Sequence, residues 1–241
     1  MSGHAVTAQL RPARPAARRV HSSASPRSAL GIAALCVLGL AVVWALAELI
    51  PAVHLKDAVA LDRFTALDRP GINGPAEFLL HLLDPALFVL WAIALVALAM
   101  AGDRPRSALA VGVVLAFAPF SADLLKPLLA HPHDHVGDAV IGAASWPSGH
   151  STAATALALC AVLVAPPRLR RGVALLGALF VIAVGVALLI LAWHMPSDVI
   201  GGILLAGLWM ALAVAALRAS ERIRPRRLRN DRGAPAGEPG P

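Results

Sequence analysis

Three short runs hold the side chains that could do chemistry. Pro147-Ser148-Gly149-His150 stands directly before an apolar segment. Ser148 suits a helix N-cap, and Gly149 lets a ligand approach the backbone closely. The free N–H groups and dipole of a helix start favour an anion, above all a phosphate. His150 falls in the first turn beside them. His194-Met195-Pro196-Ser197-Asp198 sets an imidazole and a carboxylate four positions apart, at the head of the last apolar segment. One helical turn brings such a pair together. A carboxylate on one ring nitrogen fixes the tautomer and makes the other nitrogen more nucleophilic. Lys126 closes another apolar segment, just ahead of His131-Pro132-His133-Asp134-His135. Each run also has a plain structural reading: a capped helix start, a loop histidine with a capping aspartate, a cation snorkelling to an interface. Together they supply a cation, an anion-binding helix start and two histidines, one of them carboxylate-assisted. Phosphoryl transfer through a phosphohistidine needs these groups.

The elements that must position these runs are membrane helices. The chain has 241 residues, 58% hydrophobic and 15% charged, with mean hydropathy +0.72. Soluble domains of this length rarely show that balance. Apolar blocks lie near 29–50, 78–101, 107–130, 148–165, 172–193 and 199–217. Most are long enough to cross a hydrocarbon core of about 30 Å; the fourth is at the lower limit. The expected fold is an all-α polytopic bundle of about six transmembrane helices. It divides into a basic tail (1–28), a membrane domain (29–217) and a second basic tail (218–241) expected to be frayed. Ala45-Leu46-Ala47 resembles a signal-peptide cleavage site, but the first block is long for one, which favours an uncleaved helix.

The net charge is +7. Its distribution argues for orientation in a membrane and contact with anionic lipid rather than for nucleic acid. Of 21 basic residues, 17 fall in the two tails and in the loops after the second and fourth blocks. Lys56, Arg63, Arg69 and Lys126 fall on the other side. The positive-inside rule then puts both termini in the cytoplasm and the three chemical runs outside. Glu48, His81, Asp84, Asp123 and Lys126, the ionisable residues within the blocks, all lie toward outer ends. Intramembrane ionisable groups are costly and mark candidate functional sites. Cys36 and Cys160 sit in apolar blocks and read as small apolar side chains. The loop histidines, with Asp134 and Asp138, leave three readings open: opportunistic metal ligands, a phosphate-binding histidine, or a solvated loop. No metal or other cofactor is assigned.

The order Lys126, then Pro-Ser-Gly-His, then His194-x-Pro-Ser-Asp198 on a six-helix frame resembles the type 2 phosphatidic acid phosphatase superfamily, which also holds the vanadium haloperoxidases. The resemblance spans roughly residues 56–217. It implies His194 as nucleophile, Asp198 as its supporting carboxylate and His150 as general acid. It implies Lys126, Ser148 and Gly149 as phosphate ligands. Two arginines of the family pattern are missing. His133-Asp134 stands where the first motif has Arg-Pro, and Ala187-Leu188 where the third has Ser-Arg. A positioned arginine on a transferring phosphoryl group contributes about 10³–10⁵ in rate. His133, when protonated, could replace one; Leu188 cannot replace the other.

The resulting expectation is a multi-pass membrane phosphatase acting on a lipid phosphate or polyprenyl pyrophosphate at the extracytoplasmic face. The rival is a non-catalytic lipid-binding or scaffold protein of the same fold. A transporter is disfavoured, since no internal repeat or broken-helix pair is visible. Oligomeric state is left undetermined. Reporter fusions test the topology. Those after Arg63, His135 and Met195 should report the outside, and those after Arg104, Arg170 and Arg229 the cytoplasm. A cytoplasmic signal at His135 or Met195 would separate the motifs and overturn the shared site.

Overall fold

Proline punctuates this chain. The computed structural model describes residues 25–130 and 141–231, with 222–231 as helix backbone. Eight helices occupy them: α1 (Pro26–Leu49), α2 (Pro51–Thr65), α3 (Pro70–His81), α4 (Pro85–Ala101), α5 (Pro105–Leu128), α6 (Gly149–Val164), α7 (Arg170–Ile190) and α8 (Pro196–Asp231). Six of them open on proline. Proline's missing N–H costs nothing in a first turn, and its fixed φ suits a helix start, while the residue before it is driven out of the helical region. Ile50 (φ −112°, ψ 101°) and Asp84 (φ −54°, ψ 145°) are such breaks.

Two of these breaks correct the sequence expectation. The second apolar block is not one straight helix, because Pro85 divides it into α3 and α4, bent by 54°. A broken helix that was not anticipated is therefore present. Pro51 likewise starts α2, in a stretch read as loop. With Lys56, Asp57, Asp62 and Arg63 along its length, α2 is too polar to cross a bilayer. At the other end α8 runs on through the expected frayed boundary at 217 to Asp231. Four helices (α1, α5, α7 and the Pro196–Glu221 part of α8) are long and apolar enough to span a membrane, five counting the bent α3–α4 pair. The 16-residue α6 is apolar but shorter.

That short helix is the centre of the bundle. α4, α5, α7 and α8 all pack on it. Its first turns, Ser151-Thr152-Ala153-Ala154-Thr155-Ala156, are wholly buried. Small residues let neighbouring backbones come close where lipid offers no hydrophobic drive between helices. α8 answers with glycine. A Cβ on Gly202 would lie 2.6 Å from the Ser148 carbonyl oxygen, and one on Gly201 would lie 2.8 Å from the Trp146 indole. Trp209 of α8 fastens the same helix to α5, donating to Ser121 Oγ at 2.9 Å and stacking on Phe117 with ring centroids 5.6 Å apart.

The outside of the bundle is apolar, with Leu35 and Leu38 of α1, Phe120 of α5 and Leu176 of α7 all more than half exposed, a surface suited to lipid. The two ends differ. At one end arginines cap helix termini. Arg104 donates to the Val164 carbonyl that ends α6, Arg170 to Ala165 O, and Arg218 to Ser25 O and Ser28 Oγ at the start of α1. Cations there complement the C-terminal dipole of α6. The opposite end carries Lys126, His150 and His194.

The glycine contact gives a measurable consequence. Gly202→Ala should cost about 1–3 kcal/mol, because the methyl group must displace backbone. Gly31→Ala on α1, where nothing lies within 4 Å of the new carbon, should instead be neutral or stabilising by up to about 1 kcal/mol. Thermal midpoints in detergent compare the two; equal shifts would contradict the close α6–α8 crossing.

Candidate active site

The start of α6 is a capped helix N-terminus. Ser148 is extended (φ −64°, ψ 120°) and caps the helix, its Oγ accepting from Ser151 N–H at 3.3 Å. The Trp146–Pro147 peptide before it is cis. Ser148 is fully buried, and His150 in the first turn is half-buried. The His150 ring meets Trp193 edge-on, centroids 5.6 Å apart at 67°.

The second half of the site hangs between α7 and α8. α7 ends in a paired turn: Ala192 N–H donates to Leu189 O at 3.2 Å, and Trp193 N–H to Leu188 O at 2.9 Å. This Schellman arrangement needs a left-handed residue just past the helix, and Ala192 supplies it with φ 53°. The chain is thereby turned so that His194 follows at once. His194 Nδ1 lies 3.1 Å from Asp198 Oδ2. The same oxygen accepts Met195 N–H at 2.9 Å. Asp198 is fully buried and His194 is 12% exposed. With its Nδ1 proton directed at the carboxylate, the ring presents Nε2 and its lone pair.

The two halves are joined by backbone. Ser148 N–H donates to the Asp198 carbonyl at 3.0 Å, and Ser151 Oγ to the Val199 carbonyl at 2.8 Å. Lys126 completes the group from the last turn of α5. A Cβ on Gly149 would sit 3.6 Å from its ammonium. The glycine thus leaves open the space between the cation and the helix start. His194 and Lys126 both lie within electrostatic reach of His150, as do Asp84 and Asp123.

Lys126, Ser148, Gly149, His150, His194 and Asp198 therefore come together at one end of the bundle. His133 and its histidine-rich loop lie outside the described residues. Leu188, where the family pattern has arginine, is fully buried in the core, so α7 offers no cation to a bound phosphate. Among the described residues no group of three or more His, Cys, Asp or Glu is arranged to hold a metal ion. Two carboxylates were not assigned from the sequence. Asp123 accepts from Lys126 Nζ at 2.8 Å, and Asp57 of α2 reaches the start of α8. The three-residue spacing of Asp123 and Lys126 on one helix was a usable signal for the first; Asp57 had none. Chemically, the site combines an imidazole oriented by a carboxylate, a second imidazole, and an ammonium beside a capped helix N-terminus.

The PAP2 superfamily model matches residues 37–222. The fold matches the crystal structure of the first transmembrane PAP2 type phosphatidylglycerolphosphate phosphatase from Bacillus subtilis, with TM-score 0.64 and 19% identity, covering 79% of this chain and 96% of that one. No curated protein sequence matches.

Asp123 sets up a competition that can be measured. It holds the ammonium an incoming phosphate would use, yet its carboxylate is 69% exposed. Exposed pairs contribute about 1 kcal/mol or less. Asp123→Asn should therefore tighten inhibition by orthovanadate by up to about fivefold, and Lys126→Ala should weaken it. Titration of both variants checks this; weaker binding in Asp123→Asn would mean that the aspartate orients the lysine rather than occupying it.

Proposed function

Because the chain belongs to the PAP2 superfamily, we propose that it is a membrane phosphatase that hydrolyses a lipid phosphate or a polyprenyl pyrophosphate through a phosphohistidine. The observation that carries this reading is the His194–Asp198 pair, its carboxylate fully buried, joined by backbone to the start of α6. Lys126, the Ser148 and Gly149 region and His133 hold the phosphoryl group. His194 Nε2 attacks phosphorus, and the bond to the leaving oxygen breaks. His150 gives that oxygen a proton. Asp198 keeps His194 in its tautomer and offsets the positive charge that develops on the ring. A water, deprotonated by His150, then attacks the phosphohistidine and releases inorganic phosphate.

The reaction is assigned to the extracytoplasmic face. Support comes from the arginines gathered at the end of the bundle opposite the site, as the positive-inside rule asks of a cytoplasmic face. Substrates to test are phosphatidic acid, phosphatidylglycerolphosphate and polyprenyl pyrophosphate. The buried Leu188 favours a second reading, a non-catalytic protein that binds lipid phosphate on the same frame, and one experiment separates the two. His194→Ala should reduce phosphate release by at least about 10³-fold and abolish acid-labile phosphate labelling, with the detergent melting point nearly unchanged. Asp198→Asn should lose about 10²–10⁴ in kcat. Labelling that survives in His194→Ala would remove the phosphohistidine, and a wild type inactive on all three substrates would favour the non-catalytic protein.

A further inference from the structure

Asp198 is held through one oxygen only. Oδ2 serves both His194 and Met195 N–H, while Oδ1 is buried without a hydrogen-bond partner among the described residues. Its aim therefore depends on the backbone that carries it, the first turn of α8. That turn is gripped from two sides. On one side Ser148 N–H donates to the Asp198 carbonyl. On the other, Ser197 N–H donates into the Asp57 carboxylate, 3.2 Å from Oδ1 and 3.3 Å from Oδ2.

We propose that Asp57 is a positioning residue for phosphoryl transfer: from α2 it caps the N-terminus of α8 and thereby fixes the Asp198 carboxylate that orients His194. This inference rests on the phosphatase reading for its kinetic consequence, though not for its geometry. An isolated helix start leaves its first N–H groups unsatisfied. α8 opens on Pro196, which has no N–H, so Ser197 is the first residue of the helix with a free donor. A carboxylate reaching it from another element satisfies that donor and suits the helix dipole. Ser197 is 6% exposed, so water has little access to do the same. α2 is itself held in place, with His54 buried and its Nδ1 3.0 Å from the Ala47 carbonyl.

The contact is more than solvent-exposed decoration. Burial pushes the Asp57 carboxyl above the usual range, the nearby Asp198 charge pushes the same way, and the Ser197 hydrogen bonds and His54 pull it back. Two carboxylates converge on one helix terminus, one capping it and one aiming the imidazole. Asp57 touches no reacting atom and sits 140 residues from its partner in sequence.

The test uses the full-length protein in detergent. ¹⁵N-histidine NMR, with the His194 signal identified by its loss in His194→Ala, reads the ring tautomer whether or not a substrate is known. Wild type and Asp57→Asn, whose amide oxygen still accepts from Ser197 N–H, should show the proton held on Nδ1; Asp57→Ala should show a mixture. In the phosphate-release assay Asp57→Ala should lower kcat by about 10²-fold with KM within about threefold. Asp57→Asn should recover most of it. An unchanged His194 tautomer in Asp57→Ala, or a KM rise at constant kcat, would overturn the proposal. So would equal loss in Asn and Ala variants with a matching fall in melting temperature, since that marks a merely structural contact. A wild type without His194-dependent turnover would sink the phosphatase reading alone, because the tautomer would still decide the role of Asp57.

Discussion

The contact between the start of α6 and the start of α8 is the constraint on which the rest depends. Ser148 N–H meets the Asp198 carbonyl at 3.0 Å. That bond can form only because Gly202 has no side chain to collide with the Ser148 carbonyl. The capped start of α6 and the histidine–aspartate pair are thus referred to each other by main chain, the least flexible part of either. Side-chain hydroxyls reinforce the join, Ser151 bonding across to α8 and Thr152 Oγ1 back to Ser148 O at 2.7 Å. In an apolar interior these bonds are worth keeping intact, since a buried unpaired polar group costs about 1–3 kcal/mol.

Around this join the bundle separates two kinds of electrostatics. Its middle is filled by the small and aliphatic groups of α6 and by Leu188. In the four helices long enough to span a membrane, the described Asp, Glu, Lys, Arg and His residues lie toward the helix ends, where water or a helix dipole can stabilise them. One end collects arginines on C-terminal carbonyls. The other collects Lys126, two histidines and several carboxylates. The cationic side of that second end is thin: Lys126 shares its charge with Asp123, and α7 presents leucine where a second cation would face the phosphate.

α2 and the α3–α4 bend belong to the same economy of helix ends. Both arise where proline forbids continuation, and both bring carboxylates to the rim of the site. Asp57 reaches the first free N–H of α8, and Asp84, just before the Pro85 break, lies within electrostatic reach of His150.

Much of this was legible in the chain itself, because it is written in local chemistry. Long apolar runs can only be helices in lipid, so the first, third, fourth and fifth blocks stand as helices with bounds near those expected. Pro-Ser-Gly-His and His-x-Pro-Ser-Asp declare a cap, a turn and an i, i+4 pair through spacing alone. Even the departures could be read, as Leu188 is simply not a cation. Length misled at Pro85, where hydrophobicity runs on across a break that backbone sterics impose. It misled again in α2, whose mixed composition looks like loop until α1, α7 and α8 give it surfaces to pack on. Tertiary structure alone decided which helix ends meet. No spacing rule joins Asp57 to Ser197, 140 residues apart, or sets Gly202 against Ser148. Such contacts depend on how two helices cross, and a sequence with period 3.6 records which face is apolar but not which neighbour that face will find.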